Sequence, residues 1–265
     1  MLERVQEGSA NGWGGEKDHN PRGDMDSNRA LPNPDVHRGG MTLPAGLVAA
    51  LFVAVLALLG IGTRVHVHGG LNLIHSVLGL FFSINLLVCY WEICLFLRRD
   101  HIERRTEYWR RRQRETGRTP AGEFLASRIP LTRILSPTVW ADAWATYAQY
   151  DSSYADRRTF GFNVDIGNGF VTPLPTLILY AAYTFDFLPA LYAGIVGAMV
   201  CWQWIYATSL YCVSFFVAGR QTRISRLETF TFIIAINSFW VLCALLGLYV
   251  SVRLIMDGNY SVLGS

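Results

Sequence analysis

Five long apolar segments dominate the hydrophobic pattern of the chain, and polar or charged residues separate them. At a rise of 1.5 Å per residue, about 20 residues cross the roughly 30 Å hydrocarbon core of a bilayer. Within lipid only helices and closed barrels satisfy their own backbone, and these uninterrupted runs lack the alternation of barrel strands. The pattern predicts an all-α integral membrane protein with about five transmembrane helices, over residues 43–63, 71–97, 160–185, 188–218 and 229–254.

The first part of the chain has a different composition from these segments. Residues 1–42 are rich in Gly, Asn, Asp, Pro and Arg, and they show no apolar periodicity, which predicts a disordered tail. No apolar stretch typical of a signal peptide follows the start, and Met41 offers an alternative start of translation. The predicted organisation is this tail, a first transmembrane helix over 43–63, and a four-helix membrane domain over 71–255 with a basic cytoplasmic loop at 98–143.

The charges of the chain indicate topology rather than a charged partner. Only 16% of the residues are charged and 51% are apolar, and the net charge of +3 comes from arginines between the apolar segments. Because basic loops stay on the cytoplasmic side, the arginines of 98–133 and 219–228 place both of these loops inside. We therefore expect a multi-pass protein with a cytoplasmic N-terminus, in the cytoplasmic membrane of a bacterium or the endoplasmic reticulum of a eukaryote.

Two stretches of the basic loop have further features. The arginines from residue 98 to 112 indicate that the second helix continues beyond the membrane, as a solvated face or as a surface for anionic lipid head groups. The aromatic stretch 139–154 is typical of a helix that lies in the membrane interface. The five cysteines lack the paired spacing of a zinc site and lie in apolar segments, so we predict neither a metal nor a bound cofactor.

Ionisable side chains within apolar segments are the best candidates for chemistry, because their insertion costs at least about 2.5–3.5 kcal/mol. Asp165 lies in the third segment beside Asn163 and Asn168, and His75 lies in the second. We predict Asp165 and His75 as catalytic residues, since a carboxyl group removed from water can hold a proton near neutral pH. The alternative places Asp165 one turn into its helix, solvated at the interface. A lone histidine is also often structural.

The remaining candidates are predicted to bind a ligand. Asn237 and Trp240 share one face of the fifth segment, Tyr206 lies in a polar and aromatic part of the fourth, and Asn163 and Asn168 flank Asp165. Asn237 could instead bond a neighbouring helix. Glu92 is a further candidate, with an interfacial ion pair to Arg98 and Arg99 as the alternative.

Together these residues predict an aromatic-lined pocket for a flat apolar molecule. The expected partners are an apolar lipid or sterol-like small molecule and the membrane lipids, with a possible homodimer and no nucleic acid. A transporter is less well supported, because the five segments show no inverted repeat and no paired broken helices.

Four short motifs, in order along the chain, resemble the emopamil-binding proteins, which are sterol Δ8–Δ7 isomerases of the EXPERA superfamily. The resemblance covers about residues 71–255, and its residues are Trp144, Tyr147, Ala148, Asp151, Ser152 and Tyr154; Phe160, Asp165, Pro173 and Leu174; Ile205, Tyr206, Leu210 and Tyr211; and Asn237 and Trp240. The resemblance implies a sterol pocket within the helices, with Asp165 in the place of an acidic catalytic residue and with Asn237 and Trp240 lining the pocket.

The sequence departs from this family in its second helix. The isomerases carry a histidine followed four residues later by a glutamate, whereas here His75 is followed at that spacing by Gly79. Glu92 could replace that acid only if the helix were shifted by several turns. The family acid in the third helix is glutamate rather than Asp165. The expectation is therefore an isomerase that moves a double bond in a sterol-like or isoprenoid lipid by proton transfer, or a non-catalytic sterol or lipid binder or sensor.

Overall fold

The structure is a computed structural model that describes residues 40–264. The predicted disordered tail therefore lies outside the described residues, apart from its last three positions. The described chain is predominantly helical, as expected. The helices are α1 (Ala45–His68), α2 (Leu73–Leu97), α3 (Arg99–Thr116), α4 (Pro120–Ala126), α5 (Pro137–Tyr147), α6 (Phe160–Val171), α7 (Pro173–Phe185), α8 (Ala190–Val217), α9 (Arg226–Glu228) and α10 (Ile236–Asp257).

Short elements connect these helices. A π-helical segment, Thr229–Ala235, joins α9 to α10, and 3-10 turns lie at Leu131–Arg133, Ser152–Ala155, Arg220–Arg223 and Ser261–Leu263. Two three-residue strands, β1 (Thr42–Pro44) and β2 (Arg128–Pro130), pair antiparallel with Leu43 opposite Ile129. This ribbon was not predicted, and it fixes the start of α1 against the loop that follows α4.

Four helices in the described part of the chain are long and apolar enough to cross a membrane. They are Ala45–His68, Leu73–Leu97, Ala190–Val217 and Arg226–Asp257. The third predicted segment differs, because it is divided into α6 and α7 at Thr172. Pro173 has no backbone N–H to donate and its ring would clash with the preceding turn, so one helix ends and another begins there. Neither half alone has the length of a membrane span.

The basic loop is more structured than its sequence pattern predicts. The second helix does not continue straight, because Arg98 leaves helical geometry (φ −125°, ψ 25°) before α3 begins. The aromatic stretch also differs, since Trp140 and Trp144 are only 2% and 9% exposed. The Trp140 indole N–H donates to Ile134 O, and that of Trp144 donates to Trp91 O, both at 2.6 Å. Helix α5 is thus packed into the helical core.

One end of the helical bundle is held together by polar contacts around the C-terminus of α1. Arg64 donates from Nη1 to Asp186 Oδ1 (2.8 Å) and from Nε to Leu263 O (2.9 Å). Asp186 caps α7 in a left-handed conformation (φ 52°), and α8 begins four residues later. Tyr260 Oη donates to Leu188 O at 2.7 Å. The turn between α7 and α8 therefore lies at this end of the bundle.

The two arginine-rich regions lie at the opposite end of the bundle, where each contacts the segment 152–157. Arg157, just before α6, pairs with Asp100 of α3 (2.7 Å) and with Glu103 (2.8 Å). Arg223, after α8, donates to Ser152 Oγ at 3.2 Å. Both arginine-rich loops thus contact residues 152–157, as expected if they share one side of a membrane.

Candidate functional site

A cavity of about 350 Å³ lies among α2, α5, α6, α8 and α10, near the arginine-rich end of the bundle. Its walls are mostly aromatic and aliphatic, and polar groups enter it at a few positions. This volume is at the lower end of the range for pockets that hold small molecules. The lining residues are Ile84, Val88, Trp91, Glu92, Ala143, Trp144, Tyr147, Tyr154, Val164, Asp165, Asn168, Trp204, Ala207, Thr208, Tyr211, Ile236, Asn237 and Trp240.

The close packing of α6 on α2 brings two acids to this cavity. A Cβ at Gly169 would lie 2.7 Å from Glu92 Cβ and 3.0 Å from Ile93 N, so only glycine permits this approach. Nothing lies within 4 Å of the corresponding position at Gly167. Glu92 is 5% exposed, and Asp165, four residues before Gly169, lines the same cavity. Gly169 therefore lets α2 and α6 contribute one carboxyl group each.

Asp165 is oriented by an aromatic side chain from the loop before α6. Tyr154 Oη donates a hydrogen bond to Asp165 Oδ2 at 2.6 Å. The Tyr154 ring stacks on Trp144, with ring centroids 4.9 Å apart and planes inclined by 25°. Because Tyr154 is itself buried, its hydroxyl group has a fixed position. One oxygen of Asp165 is thus held by the protein.

Glu92 has an amide beside it. The Asn168 side chain lines the cavity next to the Glu92 carboxyl group. Asn168 Oδ1 accepts a hydrogen bond from Gln203 Nε2 of α8 at 2.6 Å. Glu92 and Asp165 line the same apolar cavity, so the protein brings two acids from different helices to one space.

The far wall of the cavity comes from the start of α10. Asn237 donates from Nδ2 to Ile233 O at 2.7 Å, across the end of the π-helical segment. π-Helical turns inside longer helices often occur at functional sites. Trp240 lies one turn later and meets Phe81 edge-on at 5.9 Å between ring centroids. Both Asn237 and Trp240, two of the predicted ligand-binding residues, line the cavity.

A second polar group lies at the arginine-rich end of the cavity. Tyr147 Oη and Tyr211 Oη are 3.3 Å apart, and Tyr211 donates to Asp151 Oδ2 at 2.7 Å. Asp151 is fully buried and pairs with Arg220 through both oxygens, at 2.8 and 3.0 Å. A buried ion pair thus fixes two of the tyrosines that line the cavity.

Five of the eight predicted site residues line the cavity: Glu92, Asp165, Asn168, Asn237 and Trp240. The alternative ion pair of Glu92 with Arg98 or Arg99 is absent from the described residues. Asp165 is half-buried and lines the cavity. In α2 the acid that lines the cavity is Glu92, several turns after Gly79.

The other three predicted residues lie elsewhere. His75 is in the first turn of α2, 17 residues before Glu92, which is about 25 Å along the helix. It is buried near the end of the bundle marked by Arg64. Tyr206 is 58% exposed and stacks on Trp202, because it lies on the face of α8 opposite the cavity. Asn163 is exposed, and its amide donates to the carbonyls of residues 157 and 159.

Several residues of the site were not predicted as such. Trp144, Tyr154 and Tyr211 belong to the motifs of the family resemblance but are not predicted as site residues, and Gln203 lies in the polar part of the fourth segment. The spacing of the cavity-lining positions in α8, from Trp204 through Ala207 and Thr208 to Tyr211, is a helical face that could have indicated Tyr211 in place of Tyr206.

Comparisons with known proteins found no matching family model, no matching curated protein and no matching solved structure. The function is therefore inferred from the chemistry of the site. Among residues 40–264 no group of three or more His, Cys, Asp or Glu side chains could hold a metal ion. What the arrangement offers is two carboxyl groups, two amides and several aromatic faces around an apolar space, which suits proton transfer to or from an apolar molecule.

Proposed function

We propose that the protein is an integral membrane protein with α1, α2, α8 and α10 as membrane spans and α6 with α7 as a two-part fifth crossing. Four long apolar helices support this topology, as do the contacts that gather α3, residues 152–157 and the 220–223 turn at one end. The positive-inside rule assigns that end to the cytoplasm, which gives a cytoplasmic N-terminus.

Cysteine labelling tests this topology. Arg223→Cys lies in the turn between α8 and α9, and Asn259→Cys follows α10; both positions are exposed. In sealed vesicles a membrane-impermeant maleimide is expected to label one variant from outside and the other only after permeabilisation. Labelling of both from the same side would exclude the proposed topology.

For the activity, we propose double-bond isomerisation in a sterol-like or isoprenoid lipid by proton transfer. The observation that supports it best is the meeting of Glu92 and Asp165 in one apolar, aromatic-lined cavity. Charged groups within a membrane are energetically costly and usually functional. Two acids from different helices at one cavity therefore favour a functional role over a purely structural one. The resemblance to the sterol isomerases, which use two acids, supports the same reaction.

The chemistry needs no oxidant and no cofactor. One acid transfers its proton to an alkene carbon, which leaves a cation on the neighbouring carbon. The other acid, as a carboxylate, removes a proton from the next carbon, and the electron pair of that C–H bond forms the shifted double bond. The ring faces of Trp144 and Trp240 would stabilise the cation in between. Tyr154 and Asn168 would orient one carboxyl group each.

A non-catalytic lipid binder or sensor is the second candidate. The observation that favours it is Gly79, which stands where the resembled isomerases have an acid after the histidine. A binder would need the shape and polar contacts of the cavity but no proton donor. It therefore predicts that Asp165→Asn keeps both binding and biological function.

Incubation in deuterated water distinguishes the two candidates. The purified full-length protein is offered a panel of sterols and isoprenoid lipids with double bonds in different positions, and products are analysed by mass spectrometry and NMR. An isomerase is expected to give a product with a shifted double bond and deuterium at the carbon that was protonated. Asp165→Ala should give none. Binding of a panel lipid without any conversion would favour the binder, and unchanged conversion by Asp165→Ala would reject the assigned acid.

A further inference from the structure

Gln203 joins α8 to the part of the cavity wall that carries Glu92 and Asp165. Its side chain lies behind Asn168, outside the cavity lining, and donates from Nε2 to Asn168 Oδ1 at 2.6 Å. The carbonyl oxygen Oε1 of Gln203 is buried and has no hydrogen-bond partner within residues 40–264. The Gln203 amide therefore has a partner for its N–H group but none for its carbonyl oxygen within the described residues.

The direction of this bond decides what Asn168 can offer to Glu92. An Asn side chain has one acceptor atom and one donor group. Since the acceptor Oδ1 faces Gln203, the donor Nδ2 remains for the Glu92 carboxyl group, which lies beside it. If the Asn168 amide were reversed, its oxygen would face Glu92, and only a carboxyl group that carried its proton on that side could bond to it.

We propose that Gln203 is a positioning residue that fixes the orientation of the Asn168 amide, so that Glu92 always receives a hydrogen bond on one oxygen. The other oxygen then faces the cavity, where a proton can be accepted or released. Gln203 acts through Asn168 and does not touch the ligand. The assignment of this role in a reaction rests on the proposed isomerase function, but the orientation itself can be tested without any substrate.

Infrared difference spectroscopy of the full-length protein measures the bonding of Glu92 directly. For each variant, the spectrum of the same variant with Glu92→Gln is subtracted, which leaves the bands of Glu92. Gln203→Met removes the donor at nearly constant volume. We expect it to move the Glu92 carbonyl band to higher frequency, toward its position in Asn168→Leu, because the bond from Asn168 is weakened.

Two further variants separate positioning from helix packing. Gln203→Glu retains a donor when its carboxyl group is neutral, as membrane burial favours, and is expected to keep the Glu92 band near its wild-type position. Tyr206→Phe, on the exposed face of the same helix, is the matched control and should change nothing. A Glu92 band that stays in place in Gln203→Met while it moves in Asn168→Leu would overturn the proposal, as would an unchanged band in both.

The outcome is independent of the isomerase assay. A protein that converts no lipid can still show the band shift, in which case the positioning stands and the proposed reaction fails. If conversion is found, Gln203→Met should also lower its rate, by up to about 10²-fold, as for other small displacements of a reacting group. A shift without a lower rate would confine Gln203 to orienting the resting site.

Discussion

Glu92→Gln is expected to lower the rate of lipid conversion by about 10²–10⁴-fold, the usual contribution of a positioned acid or base. Glutamine has the shape of glutamate and can still accept a hydrogen bond from Asn168, but it cannot accept or release a proton. Affinity for the lipid should therefore change only a few-fold, and the loss should appear in kcat rather than in KM. Asp165→Asn should behave in the same way. The measurement is steady-state conversion of the lipid identified in the panel, with binding measured in parallel.

The two acids should also be non-additive. If Glu92 and Asp165 work as one unit, the double variant Glu92→Gln with Asp165→Asn should be little slower than the slower single variant. Glu107→Gln is the control, because Glu107 is an exposed residue of α3 whose partners are Arg110 and Arg114. Conversion at the wild-type rate in either single variant would remove that acid from the mechanism and favour the non-catalytic lipid binder.

Much of the helical architecture could be predicted from hydrophobic length alone. The four long helices match the first, second, fourth and fifth apolar segments to within a few residues, apart from the π-helical segment before α10. The third segment shows the limit of this reasoning. Its average hydrophobicity indicates one helix, but Pro173 removes a backbone donor at one position, and that local effect ends α6. The same proline sets the boundary between the part that carries Asp165 and the part that packs toward Asp186.

The site residues that are costly to place in an apolar segment could be predicted from the sequence. Those whose roles depend on long-range contacts could not. Asp165, Glu92 and Asn237 could be identified because a polar group in an apolar segment needs a reason. Tyr154 and Gln203 could not, since their roles depend on contacts with Asp165 and Asn168 that no spacing in the sequence encodes. The opposite error concerns His75, which satisfies the same cost rule but lies about 25 Å along α2 from Glu92.

Arg220→Met is expected to cost about 3–5 kcal/mol of stability, because it leaves the buried carboxylate of Asp151 without its countercharge. Asp151 is fully buried, and its remaining donors would be Tyr211 Oη and the Ser153 backbone N–H. Thermal unfolding of the purified protein should shift downward on the order of 10 °C. Because Tyr211 lines the cavity, lipid binding should weaken as well. Arg223→Met is the matched control: Arg223 is exposed in the same turn, and its loss should stay within about 0.5 kcal/mol.

A double-mutant cycle separates the ion pair from the general disturbance of the turn. Asp151→Asn removes the buried charge but still accepts the hydrogen bond from Tyr211. In that background Arg220→Met should cost at least about 1 kcal/mol less than in the wild type, since no carboxylate is left unpaired. Equal costs in both backgrounds would mean that Arg220 stabilises the turn through its other contacts, such as the bond from Nη2 to Ser214 Oγ at 3.0 Å. The tyrosines at the arginine-rich end of the cavity would then be held by packing rather than by charge.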